Sequence, residues 1–206
     1  LQTVLTPAFS QQEIKKSNFL TYLVPFNEFD LIHEQLKLDH PKAVHIVWAY
    51  RYLNKYHQIV ENQSDDGEPR GTSGPPALNS LRGASLINVG VFIVRYFGGI
   101  KLGTGGLVRA YSSSVNLAIN EANLVNFEIK DIVKLSIPFT LVGRFEHYFD
   151  KENIKIQKEF DAFGMIAEIL LNQDEFKEFY SFYEPFLIDG VKILAMPLFA
   201  KDIACD

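Results

Sequence analysis

Val89, Val91, Phe92, Ile93 and Val94 form a nearly continuous apolar run, broken only by Gly90. A strand with no polar alternation needs cover on both faces, so this segment predicts a central strand with packed layers above and below it. The run leads through Arg95, Tyr96 and Phe97 into Gly98–Gly106, where five of nine residues are glycine. Beyond the glycines, Leu107, Val108, Tyr111, Val115, Ala118, Ile119 and Ala122 recur at helical spacing. A glycine turn opening a helix exposes backbone N–H groups, and the helix dipole adds positive potential there.

Charge sharpens that expectation. From Arg70 to Asn120 there is no acidic residue, yet the stretch holds Arg70, Arg82, Arg95, Lys101 and Arg109. Cations beside a glycine nest predict an anion site, with phosphate the leading ligand class. Its expected members are Arg70, Thr72, Arg95, Lys101, Thr104, Gly105, Gly106 and Arg109, with Thr104 capping the helix N-terminus. The loop is not a Walker loop, because no Gly-Lys-Ser/Thr follows the glycines. Nor does Gly103-Thr-Gly105-Gly106 have the spacing of a dinucleotide fingerprint. Net charge is −5, which argues against indiscriminate polyanion binding. The excess lies entirely in the second part: residues 1–129 carry 11 basic and 11 acidic side chains, and residues 130–206 carry 9 and 14.

Upstream, Asp65-Asp66-Gly67-Glu68-Pro69 places three carboxylates in four residues. They are candidates to hold Mg²⁺ with a substrate phosphate, or else form a solvated turn or pair with nearby arginines. Thr72 and Ser73 either donate to an anion or make local turns. His45 and His57 fall on expected neighbouring strands, where satisfied sheet positions outweigh acid–base or metal roles. The single cysteine, Cys205, permits no intrachain disulfide and no cysteine-based zinc cluster, which fits a reducing cytoplasm. Residues 1–19 lack the basic-then-apolar plan of a signal peptide, and no apolar run is long enough to span a bilayer.

Along the chain, strands are expected at Ser17–Pro25, Ala43–Tyr52 and His57–Asn62. A helix is expected over Asn27–Leu38, with Phe29, Leu31, Ile32, Leu36 and Leu38 as its apolar set, stopping before Pro41. Ser64–Pro76 reads as a long loop, with a short helix starting at Ala77. A break falls near Asn123–Lys130. After it come a strand (Asp131–Phe139), a helix (Leu141–Lys151), a hairpin (Ile154–Phe160 and Met165–Leu171), a helix (Gln173–Phe186) and a strand (Val191–Phe199). That βαββαβ order is a ferredoxin-like pattern. The Phe and Tyr residues of 176–186 recur at helical spacing and read as core.

Two segments carry a family resemblance: Asp65-Asp-Gly-Glu-Pro-Arg-Gly-Thr-Ser-Gly74 and Arg95-Tyr-Phe-Gly-Gly-Ile-Lys-Leu-Gly-Thr-Gly-Gly-Leu-Val-Arg-Ala-Tyr111. They resemble the signatures of the Impact/YigZ family, with weaker support from Lys15–Phe19 and His45. The resemblance implies an α+β protein of two domains. Residues 1–126 would form an Impact-type N-terminal domain like domain IV of elongation factor G, the second-domain fold of ribosomal protein five of the small subunit. Residues 131–206 would form a ferredoxin-like domain, similar to domain V of that factor. Many relatives carry a lysine where this chain has Pro75 and a cysteine where it has Val47, so neither that amine nor that thiol can be essential here.

The leading expectation is therefore a cytoplasmic, non-catalytic protein bound to RNA, the ribosome or a translation-related protein, possessing a phosphate site and regulating translation, with no membrane role. The alternatives are an enzyme acting on a phosphorylated substrate, with Mg²⁺ on Asp65, Asp66 and Glu68, and a protein-interaction module whose loops only shape a surface. No cofactor is required by the first reading.

Overall fold

The computed structural model describes residues 1–202; Cys205 lies outside them. The chain divides into two compact units, Leu1–Phe127 and Glu128–Asp206.

The first unit runs β1 (Gln2–Val4), β2 (Ala8–Ile14), β3 (Ser17–Pro25), α1 (Phe29–Asp39), β4 (His45–Leu53), β5 (Ile59–Ser64), α2 (Gly74–Gly83), β6 (Val89–Tyr96), α3 (Thr104–Glu121) and β7 (Leu124–Asn126). Five strands form one antiparallel sheet in the order β2-β3-β6-β4-β5. The apolar run is its central strand, and the two-residue alternation assigns its faces. Val89, Val91 and Ile93 join a core with Leu81 of α2 and Leu107, Tyr111 and Val115 of α3. Phe92 and Val94 point the other way, against Phe29 and Leu36 of α1. Gly90 is required on that second face, since a Cβ there would come within 2.2 Å of the Phe29 ring.

Several boundaries differ from the sequence reading. Helix α2 begins at Gly74, inside the stretch read as loop, because Pro75 and Pro76 occupy first-turn positions whose N–H groups have no helical partner in any case. In α1 only Phe29 and Leu36 are buried, while Leu31 and Leu38 are each 75% exposed. The N-cap of α3 is Gly103 with no side-chain cap; Thr104 is already the first helical residue and does not cap it. Strand β1 pairs with β7, aligning Thr3 with Val125. The three-residue strands are missing from the sequence reading because so few residues show no periodicity; β2, seven residues long, is missing because its sequence AFSQQEI has no apolar alternation and only Ser10 of it is buried.

The second unit runs β8 (Asp131–Pro138), α4 (Phe139–Lys151), β9 (Ile156–Phe160), β10 (Gly164–Leu171), α5 (Gln173–Tyr183) and β11 (Lys192–Ala195), followed by a 3-10 turn at Leu198–Asp202. Its antiparallel sheet has the order β11-β8-β10-β9. Both helices pack on one face. Phe145 and Phe149 of α4 and Phe176, Phe179 and Tyr183 of α5 share a core with Val133, Leu135, Ile137, Met165 and Ala167. Asn172 and Glu175 form a capping box that fixes the start of α5. The last strand is shorter than Val191–Phe199, ending at Ala195 where its register with β8 shifts. No described helix is long and apolar enough to cross a membrane.

Candidate functional site

Strand register sets the site. Phe19, Arg95 and His45 are cross-strand neighbours on β3, β6 and β4. Arg95 lies two residues beyond Ile93, so alternation turns it toward α3. There the guanidinium meets Glu68 from the loop before α2, and Nη1 donates to Glu68 Oε1. Tyr111 of α3 donates its hydroxyl to the same oxygen at 2.8 Å. The side chains of Arg95 and Glu68 are only 7% and 3% exposed. The guanidinium also lies 5.6 Å from the Phe19 ring centre and 5.7 Å from that of Phe97. Burial, and then the Glu68 charge, push the Tyr111 pKa well above its ordinary value, so the phenol remains a proton donor to the carboxylate. Arg95 Nε is buried and has no partner.

The other carboxylates go elsewhere. Asp65 Oδ1 accepts from the Ser73 hydroxyl at 2.6 Å and from the Gly74 N–H at 2.8 Å, and Oδ2 accepts from Gly71 N–H at 2.7 Å. It thereby holds the N-terminus of α2. Asp66 Oδ2 accepts from the Ile46 N–H at 2.6 Å, tying the loop to β4. Asp65, Asp66 and Glu68 thus serve three different structural partners. They do not converge on one point, so the Mg²⁺ alternative weighed for them finds no cluster, and the pairing alternative holds for Glu68; among the described residues no group of three or more His, Cys, Asp or Glu side chains is arranged to hold a metal. Thr72 is buried too, and its hydroxyl donates to the Pro69 carbonyl at 2.6 Å, so it makes a local turn and offers no donor to an anion.

Burial raises the Asp65 pKa, and the hydrogen bonds from Ser73, Gly71 and Gly74 outweigh it, leaving the folded-state value below the ordinary 3.8. A depressed folded value means that this stabilisation is present above the unfolded pKa and is lost as pH falls through the folded one. We expect Asp65→Ala to lower unfolding free energy at neutral pH by about 1–2 kcal/mol, the range for a lost helix cap or charged hydrogen bond. In urea titrations the gap between variant and parent should begin to narrow as the pH falls below about 3.8 and go on closing as it falls through the lower folded-state value. A gap unchanged down to pH 2.5 would show that the carboxylate charge is not what holds the loop.

The acidic loop and the glycine loop do meet. A cavity of about 390 Å³ is lined by Val44, His45, Glu68 and Pro69 on one side of the sequence and by Arg95, Phe97, Lys101, Leu102, Gly103, Thr104 and Leu107 on the other. Of the expected anion-site residues, Arg95, Lys101 and Thr104 are in its wall, and Gly105 and Gly106 follow in the first turn of α3. Arg70 and Arg109 are exposed and lie outside that lining. Arg95 also differs from expectation in being buried against Glu68, which leaves it little free charge to offer. His45 Nδ1 lies 2.5 Å from the Asp66 carbonyl oxygen. A carbonyl only accepts, so Nδ1 is the donor in this contact. His57 is in the β4–β5 turn, at the far end of β4 from His45, so the two histidines do not form a pair.

Phe97, Tyr111 and His45 were not among the expected site residues. The signal for Tyr111 was present: it shares the buried helix face of Leu107 and Val115, four residues from each. Period-two counting from Val89 likewise places Arg95 on the covered face.

Fold and cavity define a mixed α/β protein of two units, with a small pocket where a central strand gives way to a glycine loop and a long helix. The description "Impact N-terminal domain" belongs to the family model that matches residues 15–119. An IMPACT family member of Haemophilus influenzae is 42% identical over 123 residues, covering 58% of each chain. The member YvyE of Bacillus subtilis is 32% identical over 187 residues, covering 80% of this chain and 84% of that one. A crystal structure described as that of a hypothetical protein matches 95% of this chain and 96% of its own, with a TM-score of 0.67 and 29% identity. The chain belongs to the Impact family.

Proposed function

We propose that this protein is a cytoplasmic RNA- or ribosome-associated factor that modulates translation, holding phosphate at the glycine loop and the start of α3. In this reading the first unit corresponds to domain IV of elongation factor G and the second to a ferredoxin-like domain. The β11-β8-β10-β9 order with both helices on one face supports the latter. One observation carries the functional reading. The acid-free segment brings an uncapped helix N-terminus, with no acidic residue in its first turn, into the wall of a cavity beside Lys101. Lys101 lines that cavity, the Arg109 guanidinium lies near Gly105 in the first turn of α3, and Arg70 is a third exposed cation of the same acid-free segment.

Three phosphate contacts to a single strand give a slope of log K against log[salt] of about −2, at roughly −0.7 per neutralised phosphate. Lys101→Ala should flatten that slope by about 0.7 and weaken binding of a single-stranded RNA dodecamer about tenfold. Lys101 is exposed in a loop, so the variant should keep its far-ultraviolet dichroism. Unchanged affinity and slope in folded Lys101→Ala and Arg109→Ala would refute the loop as the RNA contact.

A further inference from the structure

We infer that this cavity is a docking site for an acidic segment of a partner protein, one that carries a bulky apolar side chain between aspartates and glutamates. The inference goes beyond the phosphate reading and does not depend on it. The wall is largely apolar: Val44, Pro69, Phe97, Leu102 and Leu107 line it. Its floor offers no free charge, because Arg95 and Glu68 are paired there and nearly dry. The volume of about 390 Å³ lies in the range of pockets that hold small ligands, roughly 300–1,000 Å³. An apolar side chain enters such a space without stranding a polar group.

The mouth is apolar as well. Val44 is 53% exposed, Phe97 48%, and Ile100, beside Lys101 in the glycine loop, 42%. Exposed apolar groups gathered within a polar rim mark interaction sites. The loop holds these groups in place. Gly98 packs against the Lys16 carbonyl of the β2–β3 turn, and Gly99 and Gly103 supply the positive φ that the path requires. A surface fixed before binding loses little freedom when a partner arrives.

Charge selects the partner. Besides the paired Arg95, the wall segments 42–45, 65–70 and 95–109 hold Lys42, Arg70, Lys101 and Arg109. Lys15 and Lys16 join them from the turn against Gly98. All six are exposed, and among the described residues none forms a salt bridge. The carboxylates of the same segments are Asp65, Asp66 and Glu68, and each is already bonded within the protein. An apolar pocket bordered by unpaired cations repels a basic segment and attracts an acidic one. Nucleic acid would satisfy the cations but not the pocket. Phe97 gives bases one ring to stack on, whereas Val44, Leu102 and Leu107 are aliphatic and suit Leu, Ile, Met or Phe better than a base.

The test begins with selection by the full chain from a displayed library of dodecapeptides. Their centre varies among apolar residues and serine, and their flanks among Asp, Glu, Ser and Lys. Selected peptides should carry at least one Leu, Ile, Met, Phe or Trp at the centre and an excess of Asp and Glu in the flanks. In fluorescence polarisation, replacing that centre with serine should weaken the best peptide about tenfold or more, and so should Phe97→Ala combined with Ile100→Ser. Both substituted side chains are exposed, so the double variant should melt at the parent temperature. Lys101→Ala should weaken binding about two- to fivefold, an effect that added salt erases. In the unaltered protein the methyl resonances of Val44, Ile100 and Leu102 should shift on saturation with the peptide, which decides the matter if the double variant unfolds. No enrichment, enrichment of lysine-flanked peptides, or binding that leaves those methyls unmoved overturns the inference. So does a hydroxyl-ended RNA dodecamer that shifts the same methyls when no peptide does, an outcome that gives the patch to nucleic acid and leaves the RNA reading standing. Shifts of those methyls on raising the protein concentration alone, with dimers in sedimentation, assign the patch to a second copy and equally overturn it. Peptide binding that persists while Lys101→Ala and Arg109→Ala leave RNA affinity unchanged supports the docking site and refutes only the phosphate reading.

Discussion

Glu68→Ala is expected to destabilise the first unit by about 3–5 kcal/mol, the range for removing one member of a buried ion pair and leaving its partner charged in a dry site. The Arg95 guanidinium would lose the only carboxylate bonded to it among the described residues, and the Tyr111 hydroxyl would lose its acceptor. Urea unfolding monitored by the fluorescence of Trp48 in β4 measures the effect directly. Glu68→Gln keeps an acceptor for Tyr111 but not the charge, and should fall between the parent and Glu68→Ala. Replacing Arg95, Glu68 and Tyr111 together by Met, Leu and Phe should recover much of the loss, because neither an unpaired charge nor an unpartnered polar group then remains buried. A loss under about 1 kcal/mol for Glu68→Ala would mean the pair is solvated in solution.

Gly98→Ala should be comparably severe for a different reason. A Cβ at Gly98 would sit 2.0 Å from the carbonyl carbon and oxygen of Lys16 and 2.5 Å from the Ser17 nitrogen. Those are backbone atoms of the tight β2–β3 turn, where Lys15 and Lys16 both have positive φ, so no side-chain rotation can relieve the clash. Overpacking typically costs about 1–3 kcal/mol, and a rigid obstacle puts this case at or above the upper end. Gly99→Ala is the matched control. A Cβ there meets nothing within 4 Å, although its φ of +83° still adds left-handed strain of about 1 kcal/mol. Thermal melts showing Gly98→Ala no less stable than Gly99→Ala would contradict the close approach of the glycine loop to the β2–β3 turn.

The sequence made the central strand and α3 legible because each has many residues in one environment. Eight residues of β6 and eighteen of α3 repeat their pattern often enough to outweigh local exceptions. The second unit was legible for the same reason, down to Phe176, Phe179 and Tyr183 as core. The acidic loop was not. A carboxylate reads the same in sequence whether it faces water, a metal or three backbone N–H groups, and only the folded path of Gly71–Gly74 shows that Asp65 faces the last. Arg95 misled in the opposite direction, since an arginine beside a glycine loop looks available when considered by charge alone. Its strand parity, set against the apolar residues before it, argues for burial.

The three carboxylates of 65–68 fasten one short segment to α2, to β4, and to β6 with α3. Loops on a protein surface usually absorb insertions readily. This one cannot, since adding a single residue between Asp65 and Glu68 would shift at least one anchor by about 3.5 Å and tear it from its partner. The segment that most resembles a spacer thus behaves as a keystone with a fixed length, and the freedom to lengthen the chain lies instead at exposed turns such as Asn54–Gln58.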